Sequence, residues 1–269
     1  MMKNIYIPIY KSVLQNISSI ENVSEDFQKI LDIIVKKIVN LLPEKEGIIY
    51  LRGSLAYGNF IEQISDLDLV VFLREKNERV YSKINELVEQ LNEEYNDLFS
   101  LIDVSCYENE VLYMEDNNRL LMNIALTGIV LYEKNNKLDV PLLKFDKSLQ
   151  NKIIRQTIND CHTTLKKIKN RQSVEYMGKV REANFLCVWY FRDYCRGLIA
   201  LCMHKKRVFS LNVNTCCNIF SQVYPEYSNF VEKVRLLEKT PINNWDELYN
   251  ICKNSLELYL EISKKESLI

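Results

Sequence analysis

A Gly-Ser turn and an Asp-x-Asp pair stand between two apolar runs in this chain, and few folds accommodate that order. Ile48-Ile49-Tyr50-Leu51 leads through Arg52 into Gly53-Ser54, with another glycine at Gly58. Asp66 lies twelve positions after Ser54, and with Asp68 it opens the run Leu69-Val70-Val71-Phe72-Leu73. Short apolar runs bounded by turn residues read as strands. Strand side chains alternate between faces, so Asp66 and Asp68 project from the same one. Two like charges so close repel by about 1–4 kcal/mol at water-like to intermediate effective dielectric. A divalent cation turns that repulsion into binding, and oxygen-only ligands favour magnesium or manganese. The small Gly53 and Ser54 leave backbone N–H groups free to meet a phosphate, especially where a helix starts. A surface acidic pair beside an ordinary turn is the plainer reading. It gives no reason for Asp66 and Asp68 to lead straight into five apolar residues.

This run resembles the signature of the nucleotidyltransferase superfamily, which includes DNA polymerase beta and the aminoglycoside nucleotidyltransferases. Gly53, Ser54, Gly58, Asp66 and Asp68 fill every position of it. The resemblance is strong over about 47–73 and weaker to about 135. It implies an α+β fold whose N-terminal part is a small mixed sheet with helices. It also implies magnesium-dependent transfer of a nucleoside monophosphate from a nucleoside triphosphate, with pyrophosphate leaving. Asp66 and Asp68 would hold the metal, and Gly53 and Ser54 would hold the phosphates beside them. A third acid on a neighbouring strand completes such sites, as metal ligand or general base. Asp103 matches it, in the middle of the apolar run 99–107, where an unpaired charge would be costly. Glu108 and Glu110, at the end of that run, are alternatives for the base.

The rest of the chain bounds the partners. Its 269 residues are 47% hydrophobic, enough for one large domain or two smaller ones with real cores. A net charge of −1 lacks the basic footprint of a protein that holds long nucleic acid. The start, residues 1–14, lacks the apolar core of a secretory signal. The most apolar stretch, 183–203, carries Arg192, Asp193 and Arg196 and is not a plain membrane span. A cytoplasmic location is expected. Eight cysteines without a Cys-x-x-Cys pair read as buried thiols. Cys202, His204, Cys216 and Cys217 have little of a zinc spacing.

Periodicity predicts helices over 24–42, 78–98 and about 117–126, and strands over 48–52, 67–73, 99–107 and 128–132. The polar, Pro-containing stretch 133–145 marks a boundary. We expect a catalytic domain over 1–135 and an all-helical substrate-binding domain over 146–269, with helices at 147–170, 174–204, 211–222, 226–238 and 244–265. This layout resembles that of aminoglycoside and spectinomycin-type adenylyltransferases, in which the acceptor lies between the domains. The resemblance implies ATP as donor and a hydroxyl of a small, aminoglycoside-like antibiotic as acceptor. Some such relatives open a helix with a serine-lysine pair whose lysine meets the nucleotide. Here the comparable place reads Ser210-Leu211, and only the nearby Lys205, Lys206 or Arg207 offers a substitute charge. Superfamily members that modify proteins or RNA, and a module that binds nucleotide without transfer, are the competing classes. Arg155 and His162, seven positions apart, have the outline of a ribonuclease motif, with a structural role as the plainer reading. Trp189, Tyr190, Phe191 and Tyr194 could stack on a substrate, but at helical spacing they read first as core. Nothing in the sequence bears on the oligomeric state.

Overall fold

The computed structural model describes residues 5–63, 65–114, 117–176, 179–237 and 239–268. It divides into two compact units, one over Val13–Leu143 and one that joins Lys144–Ile269 to the first residues, up to Ser12.

The Val13–Leu143 unit is built on a four-stranded mixed sheet. Its strands are β1 (Gly47–Arg52), β2 (Leu67–Leu73), β3 (Ile102–Glu108) and β4 (Ile129–Lys134), in the order β3-β2-β1-β4. β1 runs antiparallel to both β2 and β4, and β2 runs parallel to β3. A parallel pair needs a crossover, supplied by α3 (Glu78–Glu94), whose Asn77 cap accepts from the Val80 N–H. Before the sheet comes α1 (Glu25–Val39), and α2 (Gly53–Ala56) and α4 (Asn118–Thr127) complete the unit's α-helices.

Alternation sorts the strand residues onto two faces. Ile49, Leu51, Leu69, Val71, Ile102 and Val104 are buried on one, as are Leu31, Ile34 and Ile38 of α1 and Ile84, Val88 and Leu91 of α3. On the other, Ile48, Tyr50, Val70 and Phe72 pack with Leu112, Ile124 and Leu138. Asn92 of α3 fixes the start of β3, donating to the Ile102 carbonyl and accepting from the Ile102 N–H.

The other unit is helical, with α5 (Lys147–Lys169), α6 (Ala183–Lys206), α7 (Val213–Val223), α8 (Ser228–Leu236) and α9 (Trp245–Lys265). Helix α6 is its centre. Leu186, Tyr190, Phe191, Tyr194, Leu198, Leu201 and Cys202 are all buried, and α6 packs on α5, α7 and α9. The N-terminal residues belong here because Ile5 and Ile7 hydrogen-bond through their backbone to Thr215 Oγ1 and the Phe209 carbonyl. In this the structure differs from a first domain reaching back to residue 1. It differs again at 174–182, expected as helix. There β5 (Val174–Tyr176) and β6 (Lys179–Arg181) pair antiparallel and α6 begins only at Ala183.

Seven cysteines of this unit are buried free thiols and Cys106 is partly buried. Desolvation pushes Cys202 up to about 12, which makes it a poor thiolate ligand. Among the described residues no helix is long and apolar enough to cross a membrane.

Candidate active site

The second face of the sheet changes character at one end. Ile48 and Tyr50 of β1 are core residues, and Arg52 follows at the same parity. Arg52 pairs in register with Asp68 of β2, and Asp68 pairs with Asp103 of β3. Three adjacent strands thus present arginine, aspartate and aspartate as one row on one face. The row is joined by a single nitrogen. Arg52 Nη2 lies 3.2 Å from Asp68 Oδ1 and 3.6 Å from Asp103 Oδ2. The three side chains are only about one-fifth exposed, at 20%, 23% and 18%. Asp103 also accepts from Ser105 Oγ at 3.4 Å, on its own strand.

Gly53 stands directly against this row. Its backbone has φ +77°, and a Cβ there would lie 2.3 Å from Asp68 Oδ2. Sequence reasoning assigns this glycine to phosphate approach. The structure adds a nearer constraint, because the turn presses onto the Asp68 carboxylate itself. Gly53 and the half-buried Ser54 open α2. The loop folds back through the Asn59 N–H, which donates to the Ser54 carbonyl.

Asp66 sits just ahead of β2 and is turned to another partner, accepting from Ser100 Oγ. Asp68 and Asp103 thus share Arg52, while Asp66 is engaged by Ser100. Among the described residues no group of three His, Cys, Asp or Glu side chains is gathered closely enough to hold a metal ion. The donor set still has the chemistry of a hard divalent cation. It consists of carboxylate oxygens alone, with two of them compensated by a positive charge. Glu108 is removed from this chemistry. It pairs with Leu73 at the opposite end of β3, about 16 Å along the strand from Asp103.

Arg52, Ser100 and Ser105 were not singled out by sequence. A signal for Arg52 existed, since a charged residue closes an apolar strand at the parity of its buried face. The other sequence candidates have plain structural roles. Lys205 pairs with Glu266 at 2.6 Å and lies over the Tyr224 ring. Arg207 is the left-handed C-cap of α6. Ser210 is buried and donates to the Ile5 carbonyl. Tyr190, Phe191 and Tyr194 are buried in the helical core, and Arg155 and His162 are exposed on α5.

Residues 31–120 match the family model described as nucleotidyltransferase domain, and this segment carries β1, the Gly-Ser turn, β2 and β3. The chain thus carries a nucleotidyltransferase domain in its mixed-sheet N-terminal part, followed by a helical C-terminal part. Among solved structures it is similar to spectinomycin adenyltransferase AAD(9) from Enterococcus faecialis, crystallised with ATP and spectinomycin. That likeness has a TM-score of 0.53 and 13% identity, covers 86% of this chain and 99% of the other, and is one of fold. No curated protein matches the sequence.

Proposed function

We propose that this nucleotidyltransferase moves AMP from ATP to a hydroxyl of a small, aminoglycoside-like molecule. The observation that carries the reading is the row Arg52–Asp68–Asp103 with Gly53 pressed against it. In that arrangement the Gly-Ser turn and paired carboxylates adjoin. Asp66 and Asp68 would hold Mg2+ with the triphosphate oxygens completing its ligands, and Asp103 borders the same position. Bound there, the metal supplies neutralisation of the charge that develops on the phosphates. The Gly53 and Ser54 N–H groups and the Ser54 hydroxyl orient β- and γ-phosphate oxygens. Asp103 takes the proton of the acceptor hydroxyl. The hydroxyl oxygen attacks the α-phosphorus in line, the bond to the bridging α–β oxygen breaks, and pyrophosphate departs with that oxygen.

The small-molecule acceptor is supported by two features. The net charge of −1 lacks the overall basic excess that favours polymeric RNA. The fold is similar to that of a protein crystallised with ATP and spectinomycin. A host cell expressing the protein should tolerate more of at least one aminoglycoside, spectinomycin or lincosamide. The Asp66→Asn, Asp68→Asn double variant should give no such protection. Unchanged sensitivity across the panel, from a folded protein that binds ATP, moves the acceptor to protein or RNA.

A further inference from the structure

We propose that Arg52 is the resident counter-cation of the Asp68–Asp103 pair and bars that pair to a bare divalent ion, so that metal enters only together with a triphosphate. The inference rests on the nucleotide-and-metal reading above. Adjacent strands hold their residues about 4.8 Å apart, close enough for two carboxylates to repel strongly where water is scarce. One guanidinium nitrogen lies within reach of both, at 3.2 and 3.6 Å. Arginine keeps its charge at every accessible pH, so this compensation is permanent. A bare divalent ion approaching the pair meets one net negative charge instead of two, and a positive charge already between them.

A metal–triphosphate complex meets different conditions. Its phosphate oxygens are themselves partners for a guanidinium. As the metal takes the carboxylates, Arg52 exchanges its carboxylate bonds for phosphate ones and no charge is left bare. The side chain has an unused donor for this. Arg52 Nε is buried and has no hydrogen-bond partner among the described residues. Arg52 is thus a positioning residue in the free protein and a phosphate-binding one in the complex.

Mn2+ binding read by electron paramagnetic resonance tests this, on the full chain with and without ATP. Without nucleotide, Arg52→Gln should bind Mn2+ about tenfold or more tightly than the wild type, since a nearby positive charge has gone. Arg52→Lys, which keeps the charge, should stay near the wild type. With ATP present the order should reverse, Arg52→Gln holding Mn2+ and ATP more weakly. Equal Mn2+ affinity of wild type and a folded Arg52→Gln, without nucleotide, overturns the inference. A melting curve of the wild type needs no variant. Mn2+ alone should leave its midpoint almost unmoved while Mn2+ with ATP raises it, and an equal rise from Mn2+ alone also overturns it. Failure of the wild type to take up Mn2+ even with ATP has a different meaning. It removes the nucleotide-and-metal reading itself, and this inference with it.

Discussion

At Gly53 two demands coincide in one residue. A φ of +77° excludes most side chains without strain, and the space a Cβ would need is taken by Asp68 Oδ2 at 2.3 Å. Gly53→Ala should therefore act twice. The backbone term costs about 1 kcal/mol or more, and the methyl group displaces the carboxylate that Arg52 holds. We expect nucleotide affinity, measured by calorimetry, to fall more than the melting temperature does, and Gly53→Val to be worse in both. Unchanged affinity would mean that the turn does not cradle phosphate. The carboxylates differ in their neighbours, Asp68 with Arg52 and Asp66 with Ser100, yet each should be indispensable to transfer. Asp66→Asn or Asp68→Asn should lower the transfer rate by at least ~10²-fold, as loss of one preorganised charge does elsewhere. Near-normal rates in both single variants, with magnesium present, would remove them from the site.

Between elements, α5 and α6 approach closely at Gly197. A Cβ there would sit 2.3 Å from Thr157 Cγ2 and 2.4 Å from its Oγ1, and Thr157 is buried and β-branched, with little room to give. The Tyr259 hydroxyl from α9 donates to the Gly197 carbonyl at 3.0 Å, so three helices meet at this glycine. Gly197→Ala gains about 1 kcal/mol of helix propensity but overpacks by about 1–3 kcal/mol. A lower denaturation midpoint is expected, and an equal or higher one would show that the helices can separate without cost. At the end of α6 the ordering of terms is electrostatic. The hydrogen bond from Lys205 holds the Glu266 carboxyl below its usual range. A depressed folded-state pKa gives stability that is present above the unfolded value and lost as pH falls through the folded one. Glu266→Gln should thus melt lower than the wild type near neutral pH, and the gap should close on acidification. Lys205 is exposed and Glu266 partly so, and solvent screening keeps the gap small. A gap that persists at low pH would assign the loss to packing against Tyr224. These elements were mostly legible in the sequence, because α1, α3, α5 and α9 carry apolar residues at helical spacing and β1 and β2 are short apolar runs between turn residues. The paired strands Val174–Tyr176 and Lys179–Arg181 were not, since runs of three residues are too short for their alternation to stand out from a helical pattern. Nor was the attachment of Ile5 and Ile7 to the helical unit, which runs through backbone groups that side-chain patterns do not report. Within the site, Asp66, Asp68, Gly53 and Ser54 stood out by type and spacing, and Asp103 by likeness to a family. Arg52 did not, because its partnership depends on the register between β1, β2 and β3, which forms only when the sheet does.

Over the whole molecule, two units with their own cores divide the chain, and the match to a nucleotidyltransferase domain falls within one of them. The sheet of that unit aligns Arg52, Asp68 and Asp103. We propose that the chemistry of the molecule rests on that end of the sheet. What separates nucleotidyl transfer from other uses of ATP is which phosphorus atom is attacked. The most direct measurement supplies the protein, magnesium and a panel of aminoglycosides, spectinomycin, lincosamides, RNA and cell extract with ATP labelled at the α- or the γ-phosphate. Label from the α-phosphate should appear on an acceptor while γ-label leaves as pyrophosphate, and the Asp66→Asn, Asp68→Asn double variant should do neither. Transfer of γ-label to the acceptor, or no transfer of α-label to anything in the panel by a folded protein that binds ATP, would contradict it.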